Sequence, residues 1–487
     1  MTDAPTPTQP SASFAGGRTK PGTRTGWIFA VIAVGAFMAQ LDLFIVNIAF
    51  PAIRESFPGS TPSSLSWVLN AYAIVFAACL VPAGRLADLL GRRKTFQLGL
   101  ILFALASAAC ALAPTLAVLV AARAGQAVGA ALLIPTSLGL LLHAFPPARR
   151  AGAIGAWVAV GAVAAAGGPG LGGLLVEVSW KLIFLVNIPL AIAALVGSWL
   201  VLDEVRHPEE GGLPDLVGIA LLIAGIGGVT LAIVEGPQWG WTSAATLATL
   251  VTAGLALAAF LWRCSHHRAP VVELSLLRVR SFAVSNVVML LYGIGFGAML
   301  LLSVLFLTGE WGYSTLRAGL GIAPGPLTVA LVSLRVKHLV VRLGGRTVAV
   351  TGCILLAAGA AWWLTQLGPE PAYLREFLPG MVVGGLGVAL TQATLFGVVA
   401  VALPAHRFAT GSGILSMSRQ IGLALGVAVL VAVVGTEPTL QAFHRGYAEM
   451  LIASAVAGTA ALLLPARPAP ARVERIAPSA DASGANL

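Results

Sequence analysis

The sequence predicts an all-α polytopic membrane protein, and three observations carry that prediction. Of its 487 residues 58% are hydrophobic and only 10% charged, with a mean hydropathy of +0.91; in water such a chain would expose apolar patches far beyond what soluble proteins tolerate. The apolar residues fall into runs of about 20, the length that crosses a hydrocarbon core of about 30 Å. Basic residues cluster between alternate runs, the pattern of cytoplasmic loops. A soluble enzyme, a disulfide scaffold and a disordered regulator are excluded. The net charge of +10 reports orientation in a lipid bilayer, and no nucleic-acid partner is expected.

Fourteen spans are predicted, near 27–50, 65–86, 96–113, 115–141, 152–175, 181–202, 215–236, 243–262, 281–308, 315–340, 346–366, 374–400, 408–434 and 446–464. The tail before span 1 is polar, rich in Pro, Ser, Thr and Gly, and carries Arg18, Lys20 and Arg24; the first apolar run is a full span long, so it is expected to remain as helix and not to be cleaved. Gly and Pro within later spans do not argue against helix, because small residues let membrane helices approach and neighbours re-satisfy freed backbone groups. Most of the 29 Lys and Arg residues lie in the tails and in the loops after even-numbered spans, which predicts both termini in the cytoplasm. Cys79, Cys110, Cys264 and Cys353 show no paired spacing and read as packing residues. The seven histidines fall in loops or at span ends. No phosphate-binding GxxxxGK[ST] run and no paired carboxylates on one helix occur, so no cofactor, nucleotide or metal is expected.

Charges at membrane depth cost several kcal/mol unless they pair or line a cavity. Three fall there: Asp42 in span 1, Arg123 in span 4 and Arg419 in span 13. Asp42 and Arg123 each lie nine residues from an outer boundary, about 13 Å in at 1.5 Å per residue, so they share a depth. Arg419 lies about 17 Å from the cytoplasm. Glu177, Glu235 and Glu449 are placed near outer ends and Asp215 near an inner one. With one deep acid against two deep bases, the interior is expected not to prefer cations.

Several segments carry recognisable patterns. The loop after span 2 reads Gly84-Arg85-Leu86-Ala87-Asp88-Leu89-Leu90-Gly91-Arg92-Arg93-Lys94: Asp88 closes the helix, and Gly84 and Gly91 are expected to allow a tight turn that brings the bases back as a charge latch. This loop resembles the signature G-x-L-a-D-r-x-G-r-[RK] of the major facilitator superfamily, with Leu89 where that family often has Arg. Span 1, Leu41-Asp42-Leu43-Phe44-Ile45-Val46-Asn47-Ile48-Ala49-Phe50-Pro51, resembles LDxTIVNVALP of its drug:proton antiporters, with Phe44 in place of Thr. Arg123-Ala124-Gly125-Gln126 is similar to the R-x-x-Q motif of the fourth helix. Gly161 followed by Gly167-Gly168-Pro169-Gly170-Leu171-Gly172-Gly173 resembles the antiporter motif of the fifth. The segments Trp180 to Pro189 and Arg419-Gln420-Ile421-Gly422 are similar to runs of the 14-helix branch. The loop after span 10, from Arg335 to Arg346, keeps bases and glycines but has no Asp.

The resemblance implies a major facilitator fold: a cytoplasmic tail (1–26), a six-helix bundle (27–202), two inserted transmembrane helices with flanking loops (203–280), a second six-helix bundle (281–466) and a cytoplasmic tail (467–487). It implies a proton-coupled efflux antiporter, not an enzyme, that exports amphipathic drugs or antibiotic-like compounds by alternating access and is driven by the proton gradient alone. Asp42 is the expected proton site and Arg123 its modulator, with Glu177 a second candidate. Gly84, Asp88, Gly91, Arg92 and Arg93 form the expected cytoplasmic gate. Gly161, Gly168, Pro169, Gly172 and Gly173 form the expected seam between the halves. Phe44, Asn47, Tyr72, Gln126, Trp157, Tyr292, Phe296 and Arg419 are the expected substrate cavity. A monomer in a bacterial plasma membrane is expected, the heavy use of Ala, Gly, Pro and Arg over Lys pointing to a GC-rich genome. Uptake of a metabolite by the same fold, or a scaffold that transports nothing, are the alternative readings; the antiporter-like span 5 ranks efflux first.

Overall fold

A computed structural model describes residues 21–205, 214–403, 407–435 and 439–466; the tail bases Arg18, Lys20, Arg467, Arg472 and Arg475 lie outside them. The helices are α1 (Pro21–Ser56), α2 (Pro62–Leu90), α3 (Arg92–Ala111), α4 (Leu116–Ala144), α5 (Pro147–Val178), α6 (Leu182–Leu185), α7 (Asn187–Val201), α8 (Leu216–Trp239), α9 (Ala244–His266), α10 (Arg280–Leu305), α11 (Thr315–Ile322), α12 (Pro324–Leu343), α13 (Gly345–Gln366), α14 (Leu378–Ala402), α15 (Phe408–Val434) and α16 (Leu440–Ala461). Among the described residues thirteen helical stretches are long and apolar enough to cross a membrane. The fourteenth predicted span is α16, also continuous, with Arg445 and Glu449 in its first half.

Two predicted spans are each built of two helices, and proline chemistry explains both. Pro189 has no N–H for the carbonyl of Leu185, so span 6 divides into α6 and α7 at Val186. Pro324 and Pro326 do the same for Leu320 and Ile322, dividing span 10 at Ala323. α16 begins ahead of its apolar run, because Thr439 caps it by accepting the Ala442 N–H at 3.3 Å. Glu449 is thereby carried two and a half turns into the helix, and both its carboxylate oxygens are buried without a hydrogen-bond partner, unlike the expected outer-end placement.

α1 packs on α5, α7 and α4, and α3 on α4, forming one bundle; α10 packs on α15 and α16, and α13 on α14 and α16, forming the other. The bundles meet where α2 lies against α15 and where α5 lies against α11 and α12. α8 and α9 form a hairpin whose first helix docks on α2 and α15. The hairpin is fastened at both ends. At one end the Ser63 hydroxyl of α2 donates to Glu235 of α8. At the other end Asp215 caps α8 by accepting the Gly218 N–H at 2.9 Å and Arg263 Nε at 2.6 Å. Burial works to raise the Asp215 pKa, but the Gly218 and Arg263 hydrogen bonds and the nearby Arg263 and His267 charges outweigh it and hold the carboxyl below its ordinary range. Asp215 therefore stays ionised at neutral pH, and its contribution to the hairpin is lost only as pH falls through that lowered value.

Candidate functional site

The two deep charges of the first bundle meet. Asp42 and Arg123 are fully buried, and Arg123 Nη1 donates to Asp42 Oδ2 at 2.5 Å. The same nitrogen donates to Gln126 Oε1 at 2.6 Å, and Gln126 Nε2 donates to Asp42 Oδ1 at 2.8 Å and to Ser107 Oγ at 2.9 Å. Arg123 Nε donates to the Val68 carbonyl at 3.1 Å, and its guanidinium lies 4.1 Å from the centre of the Tyr72 ring. Each oxygen of Asp42 thus has a donor, which offsets the cost of holding two charges out of water. Helical spacing sets up the cluster: Arg123 and Gln126 are one turn apart on α4 and present adjacent groups to the same carboxylate.

Asn187 belongs to this cluster and was absent from the expected set. It opens α7 beside Asp42, fully buried, with neither amide atom hydrogen-bonded. Its position depends on the break at Val186. Its sequence signals are the proline two residues on and its place in the run from Trp180 to Pro189 that resembles the 14-helix branch.

Two small cavities lie between the bundles. One is lined by Phe44, Asn47 and Pro169 with Leu300, Val304 and Ile322. The other is lined by Asn47, Asn70, Tyr72 and Arg123 with Gly297, Leu423 and Ala424. Of the expected cavity residues, Phe44, Asn47 and Tyr72 line these spaces. Gln126 lies behind Arg123, and Trp157 packs into the first bundle's own core with Nε1 buried and unbonded. Tyr292 and Phe296 stack on each other at 5.7 Å, and Arg419 lies one turn before Leu423 on α15. Glu177 stands exposed at the C-terminal end of α5.

The glycine motif of α5 divides between two surfaces. A Cβ on Gly161 would meet Gln40, one on Gly168 would meet Phe44, and one on Gly172 would meet Ile48 and Ile45, all on α1 within the same bundle. Gly173 faces Leu316 and Thr315 of α11, and the Pro169 carbonyl abuts Gly319. Only Pro169 and Gly173 of the expected seam therefore touch the other half. The reason is the helical repeat: positions 161, 168 and 172 share one face, while 169 and 173 share the next. Gly170, facing Leu320, completes the cross-bundle face. Near the start of α15, Gly413 packs against Val81 of α2, so the bundles touch on both sides of the cavities.

In the loop after α2, Gly84 lies inside the helix, and Gly91 alone makes the turn, with φ of 103°. Asp88 pairs with Arg92 at 3.0 Å within the loop. Arg92 N–H donates to the Val205 carbonyl at 2.9 Å, and Arg93 N–H donates to the Glu204 side chain at 3.1 Å, fixing the loop to the end of α7. The link towards the other half is Arg85 with Glu273, at 3.1 Å, in the segment leading into α10.

The family model described as Major Facilitator Superfamily matches residues 32–427. The multidrug resistance protein Stp of Mycobacterium tuberculosis (strain CDC 1551 / Oshkosh) is 38% identical over 401 residues, 82% of this chain and 74% of that protein. The cephamycin export protein CmcT of Amycolatopsis lactamdurans is 34% identical over 471 residues, covering 94% and 95%. Among solved structures, a partially occluded inward-open conformation of the xylose transporter XylE from E. coli superposes with a TM-score of 0.62 at 13% identity, covering 91% of this chain and 97% of that one; this likeness concerns the fold alone.

Proposed function

This chain belongs to the major facilitator superfamily, and on that premise we propose that it is a proton-coupled antiporter exporting amphipathic, drug-like molecules from the bacterial cytoplasm. The observation that carries the reading is the buried Asp42–Arg123–Gln126 network, whose arginine and Tyr72 reach the cavity between the bundles. The names of the relatives, a multidrug resistance protein and a cephamycin exporter, support export over uptake. A scaffold would have no use for an ion pair buried beside a cavity.

In this mechanism Asp42 takes a proton from the outer side. Its carboxylate charge disappears, and Arg123 keeps the Val68 carbonyl, Gln126 and the Tyr72 and Phe184 rings as partners. The side chains around the cavity rearrange, the cytoplasmic contact of α2 with α15 opens, and the proton leaves inward as substrate enters. Rejoining of Asp42 with Arg123 then favours the outward-releasing state. No cofactor takes part. The protein works as a monomer with both termini in the cytoplasm.

The test is accumulation of a lipophilic dye in a pump-deficient bacterial host. Expression should lower the dye content, and dissipating the proton gradient should restore it. Higher dye content on expression favours uptake, and no difference favours a scaffold.

The Asp88–Arg92 pair is proposed to stabilise the closed cytoplasmic gate. Asp88→Asn is expected to raise labelling of a cytoplasmic-side cysteine by up to about fivefold, the equivalent of the ~1 kcal/mol of a partly exposed pair, with substrate affinity in detergent close to normal. Unchanged labelling would leave the pair as an ordinary loop contact.

A further inference from the structure

The second bundle holds a half-buried arginine that no acid of the described residues neutralises. Arg419 of α15 makes none of the ion pairs among the described residues, and its Nε is buried without a partner. Its surroundings parallel those of Arg123. Tyr292 lies beside it and stacks on Phe296 with ring centres 5.7 Å apart and planes 12° apart. Tyr72, under Arg123, stacks on Phe76 at 5.9 Å and 9°. The difference is the carboxylate: Arg123 has Asp42, and Arg419 has none.

The two remaining interior acids do not fill that role. Asp42 is fully engaged by Arg123 and Gln126. Glu449 sits on α16, which packs on α10, α13 and α15, and its oxygens touch no donor. Tyr292 Oη donates to Gln392 Oε1 at 3.5 Å, so α14 contributes an amide whose N–H groups are donors at the same place. One turn along α15, Leu423 lines the cavity between the bundles. A guanidinium at this depth whose Nε is buried and unbonded favours an anion as its partner.

We propose that Arg419, with Gln392 and Tyr292, binds an anionic group of the exported molecule, a carboxylate, enolate or sulfonate carried on an aromatic scaffold whose rings lie against Tyr292 and Phe296. This rests on the export reading above and names its substrate class.

The test uses two dyes that share their rings, anilinonaphthalene sulfonate and neutral N-phenylnaphthylamine, titrated into the full-length protein in phosphatidylcholine nanodiscs, where no anionic lipid competes. Wild type is expected to bind the sulfonate at least about tenfold tighter than the neutral dye, as a charge-assisted hydrogen bond supplies. Arg419→Gln should lower that preference by about tenfold, and Arg419→Lys should keep part of it. An unchanged preference in Arg419→Gln, or equal binding of both dyes by wild type, overturns the proposal. Loss of both dyes marks a variant that has not folded, and the wild-type ratio then decides alone. The export reading is separable: if wild-type cells extrude neither dye, that reading fails, whereas extrusion of the neutral dye without preference for the sulfonate defeats only this inference.

Discussion

Replacing Asp42 with Asn is expected to abolish extrusion against a gradient while downhill exchange of substrate persists. Asn keeps the volume and one acceptor for Arg123 but cannot take up or release a proton. It also leaves Arg123 as an uncompensated buried cation. Breaking a buried pair from one side typically costs about 3–5 kcal/mol, so the variant should also melt several degrees lower. The two effects are separated by adding Arg123→Gln. The double variant removes the orphaned charge and should regain thermal stability, since an uncharged hydrogen-bonded pair of similar size is tolerated there. It should still fail to pump. An Asp42→Asn protein that concentrates dye outward under a pH gradient would remove Asp42 from the proton pathway, and recovery of pumping in the double variant would make the defect one of stability.

Much of this site is legible in the sequence because depth in a membrane helix is a linear count. Nine residues from an outer boundary put Asp42 and Arg123 at one level, and charges at one level in adjacent helices have strong reason to pair. Gln126 follows from being one turn along from Arg123. What escapes a linear count depends on where a helix breaks, how it is rotated, or what lies far away in sequence. Asn187 reaches Asp42 only because α7 restarts after Val186. The burial of Glu449 follows from a cap at Thr439, ahead of the apolar run. Gly161, Gly168 and Gly172 turn to α1 while Pro169 and Gly173 turn to α11, a division that motif spacing contains but does not announce. Arg85 meets Glu273 across two inserted helices, and nothing local in either segment signals the other. Arg419 is the opposite case: its depth is plain in the sequence, and only side-chain geometry reveals that no acid among the described residues pairs with it.

The division of the glycine motif gives Gly173→Ala a large expected effect on the outer gate. A Cβ at position 173 would fall 2.6 Å from Leu316 Cα and 2.8 Å from the Thr315 carbonyl oxygen. Both are backbone atoms of α11, so no rotamer change relieves the overlap. Carbon atoms pack at about 3.5–4 Å, and the outer ends of α5 and α11 would have to separate by roughly 1 Å. Overpacking of this kind costs about 1–3 kcal/mol. Paid only in states where the two helices touch, that cost shifts the equilibrium towards outward-open by about five- to 150-fold. Transport should fall accordingly while the protein remains folded, because the strain is relieved by opening. Gly161→Ala is the control: its nearest neighbour is the flexible Gln40 side chain at 3.4 Å, and it should pump within about twofold of wild type. The direct measurement is labelling from outside of a cysteine at Val304, in the wall of the cavity beside Pro169, in a protein whose four native cysteines have been replaced. Gly173→Ala should expose that position and Gly161→Ala should not. If position 304 stays protected and pumping is unimpaired in Gly173→Ala, the contact of α5 with α11 is a passive packing surface, and the outer gate lies elsewhere in the molecule.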